Sequence, residues 1–250
     1  MLLTIDVGNT YLSLGLFLNE KIKEVSFFHT KKFIENNESL ESLKVFKNSK
    51  ISHVIICSVV DEVNYKLLYF LKKKKLQYTF LNKNIELLDI KTSVKGHIGV
   101  DRLVNIFYCL KHFKVPFLII DLGTATTFDY VNNKQVYEGG IILPGIDISL
   151  KSLEVYTSKL PSVKFKKKKK IISNNTEDAI TSGFYWGYLS MIEGIIKKVR
   201  REKSSDFNVV LTGGNCEYYK NLSIFHLIDK YLTIKGLNLI YKHIFSNEQF

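Results

Sequence analysis

The residue pattern predicts an α/β protein built from two copies of one unit, and three observations carry that prediction. Short apolar runs alternate with helical patterns along the chain. A carboxylate turn at Asp6 recurs at Asp121, 115 positions later, each at the end of a first strand and the start of a hairpin. The 250 residues, 46% hydrophobic and 13% aromatic, suffice for one large core or two modest ones, and with 3 Pro there is little sign of long stiff linkers.

Leu2 to Ile5 reads as a strand ending in Asp6-Val7-Gly8-Asn9-Thr10, with β-prone residues resuming from Tyr11 to Phe17. Lys21 to Phe28 adds a third strand after the turn at Asn19-Glu20, giving an antiparallel meander. His53 to Val60 has the unbroken apolar character of a buried strand. A helical pattern follows from Asp61 to Leu71, with Val63, Leu67, Phe70 and Leu71 on one face. A second helix is expected over Val100 to Phe113.

The opening pattern then repeats. Phe117 to Ile120 is a strand ending in Asp121-Leu122-Gly123-Thr124, followed by strands through Tyr130 and from Gln135 to Ile142. A helix over Ile146 to Tyr156 and a long one from Thr176 to Arg201 come next, with Thr176 expected as the N-cap. Asn208 to Leu211 is a strand ending in Thr212-Gly213-Gly214, and an amphipathic helix covers about Ile234 to Phe245. The repeat puts the lobe boundary near Lys114 to Pro116, with one domain over 1–115 and the other over 116–250.

Neither standard glycine-rich phosphate loop is present, so a bound phosphate needs another device. Asp6-x-Gly8-Asn9-Thr10 offers one. Its backbone N–H groups and the Asn9 and Thr10 side chains can meet anionic oxygens, while Asp6 binds a metal ion or its water. Asp121-x-Gly123-Thr124 repeats that device, so two turns facing across a cleft can grip one nucleotide triphosphate. The alternative for each is an ordinary Asx turn in a hairpin. Gly139-Gly140 to Gly145 and Thr212 to Gly214 are further glycine turns at strand ends, the latter expected near the adenosine. Gly99-Val100-Asp101-Arg102 opens a helix with a carboxylate beside a guanidinium. Asp101 can serve as the general base of phosphoryl transfer and Arg102 can neutralise substrate charge. The plainer reading is an acidic residue favouring the helix dipole.

Taken in order, Asp6 to Thr10, Gly99 to Arg102, Asp121 to Asp129, Gly139 to Gly145, Thr176 with Ala179-Ile180 and Ser182-Gly183, and Thr212 to Gly214 resemble a type III pantothenate kinase over nearly the whole chain. That family lies within the actin and sugar-kinase superfamily. The resemblance implies two duplicated actin/ribonuclease-H-like lobes with a nucleotide cleft between them. It also implies ATP-dependent phosphorylation of pantothenate, the first committed step toward coenzyme A, by a homodimer using Mg²⁺ and a monovalent cation, K⁺ or NH₄⁺. By motif, Asp6, Val7, Gly8, Asn9, Thr10, Tyr11, Leu12 and Ser13 with Thr124 contact ATP, Asp6 also standing near Mg²⁺. Asp121 binds the monovalent cation, Asp101 is the general base, and Gly99, Val100, Asp101, Arg102 and Thr176 line the pantothenate site. One departure stands out. Many members carry a Tyr shortly before the Gly-x-Asp-Arg motif, whereas Asp89 to Ile98 holds no Tyr or Phe, leaving Thr92 or His97 near that place.

Lys+Arg 36 against Asp+Glu 24 gives a formal charge of +12, suited to an anionic substrate. The runs Lys72 to Lys75 and Lys166 to Lys170 have no interleaved aromatics to stack bases, so solvated basic surface is expected rather than a nucleic-acid site. Cys57, Cys109 and Cys216 form no metal or disulfide pattern. Cys57 and Cys109 are expected in the core and Cys216 nearer the surface, and unpaired thiols suit the cytoplasm. The start lacks a basic leader and reaches Asp6 too soon for a signal peptide, and no run approaches the length of a membrane span. Rival functions are another kinase or phosphatase of the superfamily, which would not carry Gly99 to Arg102, and a DNA-associated regulator, for which no basic recognition helix is found.

Overall fold

In the computed structural model, which describes residues 1–35, 40–47, 50–83 and 85–246, the first apolar run becomes β1 (Leu2–Val7). It pairs antiparallel with β2 (Tyr11–Leu18), which pairs antiparallel with β3 (Lys21–His29). Short helices α1 (Thr30–Ile34) and α2 (Lys44–Lys47) precede β4 (His53–Ser58), which lies parallel to β1. Helix α3 (Asp61–Lys73) leads to β5 (Tyr78–Phe80), parallel to β4, and α4 (Val100–His112) follows. The sheet order is β3-β2-β1-β4-β5.

Strand alternation divides β1 into two faces. Leu3, Ile5 and Val7 pack with Leu12, Leu14, Val54 and Ile56 and with Val63, Leu67 and Leu71 of α3. On the opposite face, Leu2, Ile55 and Cys57 pack with Val100, Val104 and Phe107 of α4 and with Leu237 and Ile240. Asp6 belongs to this second face, at the strand end.

The second unit repeats the plan. β6 (Phe117–Leu122), β7 (Ala125–Val131) and β8 (Tyr137–Pro144) form the meander. After α5 (Ile146–Tyr156) and α6 (Thr176–Lys203), strands β9 (Asn208–Thr212) and β10 (Leu227–Ile228) extend the sheet in parallel, in the order β10-β9-β6-β7-β8. Strand for strand this is the first sheet again, so the duplication expected from the two carboxylate turns is present in the backbone. Its core joins Leu118, Ile120, Leu122 and Phe128 to Ile146 of α5 and Tyr185, Leu189, Ile192 and Ile196 of α6.

Three local expectations change. The N-cap of α6 is Asn175, whose side chain accepts from the Asp178 amide at 2.9 Å, which puts Thr176 at the first helical position. Cys216 is fully buried, because the turn after β9 carries it and Tyr219 into the core. The lobe boundary expected near 114–116 falls at Phe113, but the chain returns. The units are Met1–His112 together with the chain from Tyr231 onward, and Phe113–Lys230. The returning segment is α7 (Leu232–Ser246), which packs on the first sheet and α4, since its Leu237 and Ile240 complete the apolar face around Leu2 and Phe17. Among the described residues, no helix is long and apolar enough to cross a membrane. The basic run at 166–170 is fastened along α6: Lys166 and Lys168 pair with Asp178, and Trp186 donates to the Lys170 carbonyl.

Candidate active site

The turn after β1 is held by its own backbone and by α1. The Gly8 amide donates to the Tyr11 carbonyl at 2.9 Å, and the Thr30 hydroxyl donates to the Gly8 carbonyl at 2.7 Å. Asn9, Thr10 and Tyr11 stay exposed, whereas the Val7 and Leu12 side chains are buried in the core and leave only their main chain for a ligand. Asp6 stands in register with Ser13 on β2 and Cys57 on β4, and the Cys57 thiol donates to its Oδ1 at 3.4 Å.

The electrostatics here are unbalanced. Enclosure away from water, and then the negative charge of Asp101, push the Asp6 carboxyl from 3.8 up to about 7; the Cys57 hydrogen bond opposes this. The same enclosure and the same two carboxylates push the Cys57 thiol well up, so it stays a donor. Asp101 itself sits at the head of α4, its Oδ1 accepting from the Arg102 amide at 2.9 Å. A Cβ on Gly99 would lie 2.5 Å from that same Oδ1, so glycine there leaves the carboxylate its place. Two neighbouring carboxylates are the kind of oxygen donors a hard cation takes. Among the described residues no group of three or more His, Cys, Asp or Glu could hold a metal ion. Thr92 and His97, the residues left near the missing Tyr, are both exposed.

In the second unit Asp121 is in register with Thr127 and Thr212. Gly213 follows Thr212 at φ +92°, and a Cβ on it would collide with Asp121 Oδ1 and lie 2.5 Å from the Leu122 amide nitrogen. Backbone therefore wraps this carboxylate where Cys57 and Asp101 attend the other. The Gly123 amide donates to Ala125 at 3.2 Å, and Gly145 donates to the Thr124 carbonyl at 3.0 Å. Asn215 Nδ2 donates to Asp147 at 3.1 Å, tying the loop after β9 to the first turn of α5. Thr176 lines a separate cavity of 560 Å³ with Leu160, Ser173, Asn174, Asn175, Ala179 and Ile180.

Two of these features escape the residue pattern. Cys57 reads as a core thiol, and only the parallel register of β4 with β1 brings it to Asp6. Thr212 to Gly214 reads as a nucleoside turn, yet Gly213 packs on Asp121. The repeat held the signal for both, because the strand parallel to each first strand must end beside its aspartate.

Residues 2–198 match the model of the type III pantothenate kinase family. A type III pantothenate kinase of Persephonella marina is 38% identical over 97% of this chain and 99% of its own length, and that of Halalkalibacterium halodurans is 33% identical over 97% and 99%. Among solved structures, MreB 5 of Spiroplasma citri bound to AMPPNP superposes with a TM-score of 0.51 at 9% identity, covering 99% of this chain and 98% of that one. A Campylobacter jejuni chain described as of the Baf family of transcriptional activators gives 0.62 at 21% identity over 99% and 100%. At such identities these two likenesses speak to fold alone, and the fold is actin-like.

Proposed function

The chain belongs to the type III pantothenate kinase family, and from that premise we propose how its residues divide the work of moving the γ-phosphoryl group of ATP to the primary hydroxyl of pantothenate, on the way to coenzyme A. Asp101 accepts the hydroxyl proton as the oxygen attacks the γ-phosphorus in line, the bond to the bridging oxygen breaks, and ADP leaves. The observation that supports this is that Asp101, at the head of α4 with its Oδ1 on the Arg102 amide, is near enough to Asp6 for its charge to add to enclosure in raising the Asp6 carboxyl. A base needs such placement beside the metal-bound phosphate, and the rest of the work is positioning and neutralising charge.

Asp6 would hold Mg²⁺, which would supply neutralisation of developing phosphate charge. The main chain of Val7, Gly8 and Leu12, the exposed Asn9, Thr10 and Tyr11 and the half-buried Ser13 meet the triphosphate, with Thr124 as a further contact. Gly99, Val100 and Arg102 line the pantothenate site, and Thr176 reaches the substrate from the second unit or from a partner subunit. Asp121, enclosed by the main chain of Leu122 and Gly213, takes the monovalent cation, K⁺ or NH₄⁺. The enzyme works as a homodimer in the cytoplasm. Exposed Ile142, Ile148, Val155, Tyr156, Ile171 and Ile172 in the second unit support a partner, and three buried free thiols support a reducing compartment.

A coupled ADP assay with Mg-ATP and K⁺ against pantothenate, pantetheine and common sugars tests the reading. ADP release is expected with pantothenate; release with a sugar but none with pantothenate overturns it. Replacing K⁺ by Na⁺ should slow turnover strongly, and equal rates in the two salts would remove Asp121 from the cation role.

A further inference from the structure

Asn105 is a polar side chain buried in the interior, 3% exposed, on a helix whose other inward residues are apolar. It follows Asp101 by four positions and so lies on the same side of α4, one turn deeper. Its Oδ1 accepts a hydrogen bond from the Thr233 hydroxyl at 3.0 Å, and Thr233 is the second residue of α7.

The two helices meet at backbone distance around that bond. A Cβ on Gly236 would stand 2.7 Å from Val104 Cγ1 and 2.9 Å from the Val104 carbonyl oxygen. On its sheet side α7 is equally tight, since a Cβ on Gly15 of β2 would stand 2.9 Å from Ile234 Cδ1. Helix α7 is thus wedged between β2 and α4. Apolar packing of this kind fixes how far apart the helices stand but is weakly directional along their axes. A buried hydrogen bond is directional, and removing the Thr233 hydroxyl from Asn105 Oδ1 in the interior costs free energy. The bond therefore adds a directional tie, beside the Gly236–Val104 contact, to how far α4 is advanced along its axis, and Asp101 rides at its head.

We propose that Asn105 and Thr233 are positioning residues of the phosphoryl transfer, setting the height of the Asp101 carboxylate over Asp6 through the α4–α7 contact. The inference rests on Asp101 being the general base. It gives α7 a part in catalysis although no residue of α7 carries a motif of the family resemblance.

The test is steady-state kinetics of the full-length protein with pantothenate, with circular dichroism showing each variant folded at the assay temperature. Thr233→Val keeps the shape and removes the hydroxyl, and is expected to lower kcat about tenfold while KM for ATP stays within about twofold. Thr233→Ala gives a second variant without the donor should the valine perturb the helix, and Thr233→Ser, which restores the hydroxyl, should recover the parent rate. In an Asp101→Asn background Thr233→Val should add no further loss, because residues that act through one group are not additive. An unchanged kcat in the valine and alanine variants, failure of serine to recover it, or a further tenfold loss in the Asp101→Asn background would each overturn the proposal while leaving Asp101 as base. Parent-like turnover by Asp101→Asn alone would overturn the base assignment, and this inference with it.

Discussion

The two acidic turns occupy the same place in two copies of one sheet, yet their surroundings have diverged. At the end of β1, Asp6 faces a thiol donor and a second carboxylate, and its proton is held up to about 7. At the end of β6, Asp121 is wrapped by backbone, with Gly213 pressed on it and Leu122 beside it. The first site brings two carboxylates together; the second is short of space. A duplicated frame can therefore supply two aspartates with different neighbours on the strand running parallel to each, Cys57 in one copy and Thr212-Gly213 in the other. These differences accompany the roles proposed above, Asp6 for Mg²⁺ and Asp121 for the monovalent cation.

The two turns can be told apart most sharply at Asp101, whose charge acts on Asp6. Asp101→Asn should keep the fold and ATP binding and lose turnover by about 10²-fold or more, the scale of a lost general base. The coupled ADP assay reads this directly, and near-normal turnover removes the asymmetry from the chemistry.

Stability against pH separates the turns next. A carboxyl held higher in the folded chain than in the unfolded one binds its proton more tightly when folded. The Asp6 contribution is thus least harmful below its unfolded value of 3.8 and turns destabilising as pH rises toward about 7. In Mg²⁺-free buffer, Asp6→Asn should stabilise the protein at pH 8 by about 2 kcal/mol and by nothing measurable at pH 4. Thermal melts at the two pH values check it, and a variant equally stable or less stable than the parent at pH 8 would show that enclosure and Asp101 do not penalise the Asp6 charge.

The smallest expected effect lies in the strands beneath the turns. Thr212 donates through its hydroxyl to the Asp229 carbonyl at 2.7 Å, whereas Cys57 gives Asp6 a long thiol contact of 3.4 Å. Thr212→Val should cost about 1 kcal/mol in chemical denaturation. Cys57→Ala should instead move the titration of Asp6 further up, visible by carboxyl NMR. An unmoved Asp6 would show that enclosure and Asp101 alone set its proton affinity.

What was legible in the sequence was local. Asp6 and Asp121 end apolar runs and start hairpins, so strand, turn and strand follow from the pattern on each side, and helix α5 runs from Ile146 to Tyr156 as its periodicity requires. What was hidden depended on contacts between distant residues. Nothing near Leu232 says that α7 will seat against Gly15 and Val104, because the apolar face it presents would suit either sheet. Asn175 and Thr176 are adjacent capping residues, and only the reach of Asn175 Oδ1 to the Asp178 amide decides between them. Cys216 looked peripheral beside Asn215 and Glu217, until the turn closed by the Gly213 carbonyl and the Cys216 amide swung it inward.

The return of α7 to the first unit bears on how this polypeptide is made. Phe113–Lys230 is one uninterrupted stretch, whereas the first unit is assembled from both sides of it. During synthesis the residues around Leu2, Phe17 and Ile55 leave the ribosome early and wait, with one apolar face only partly covered by α4, until Leu237 and Ile240 emerge. The usual order in which the amino-terminal domain is completed first is then expected to be reversed. Nascent chains arrested before residue 232 should accordingly be clients of chaperones that bind exposed apolar sheet.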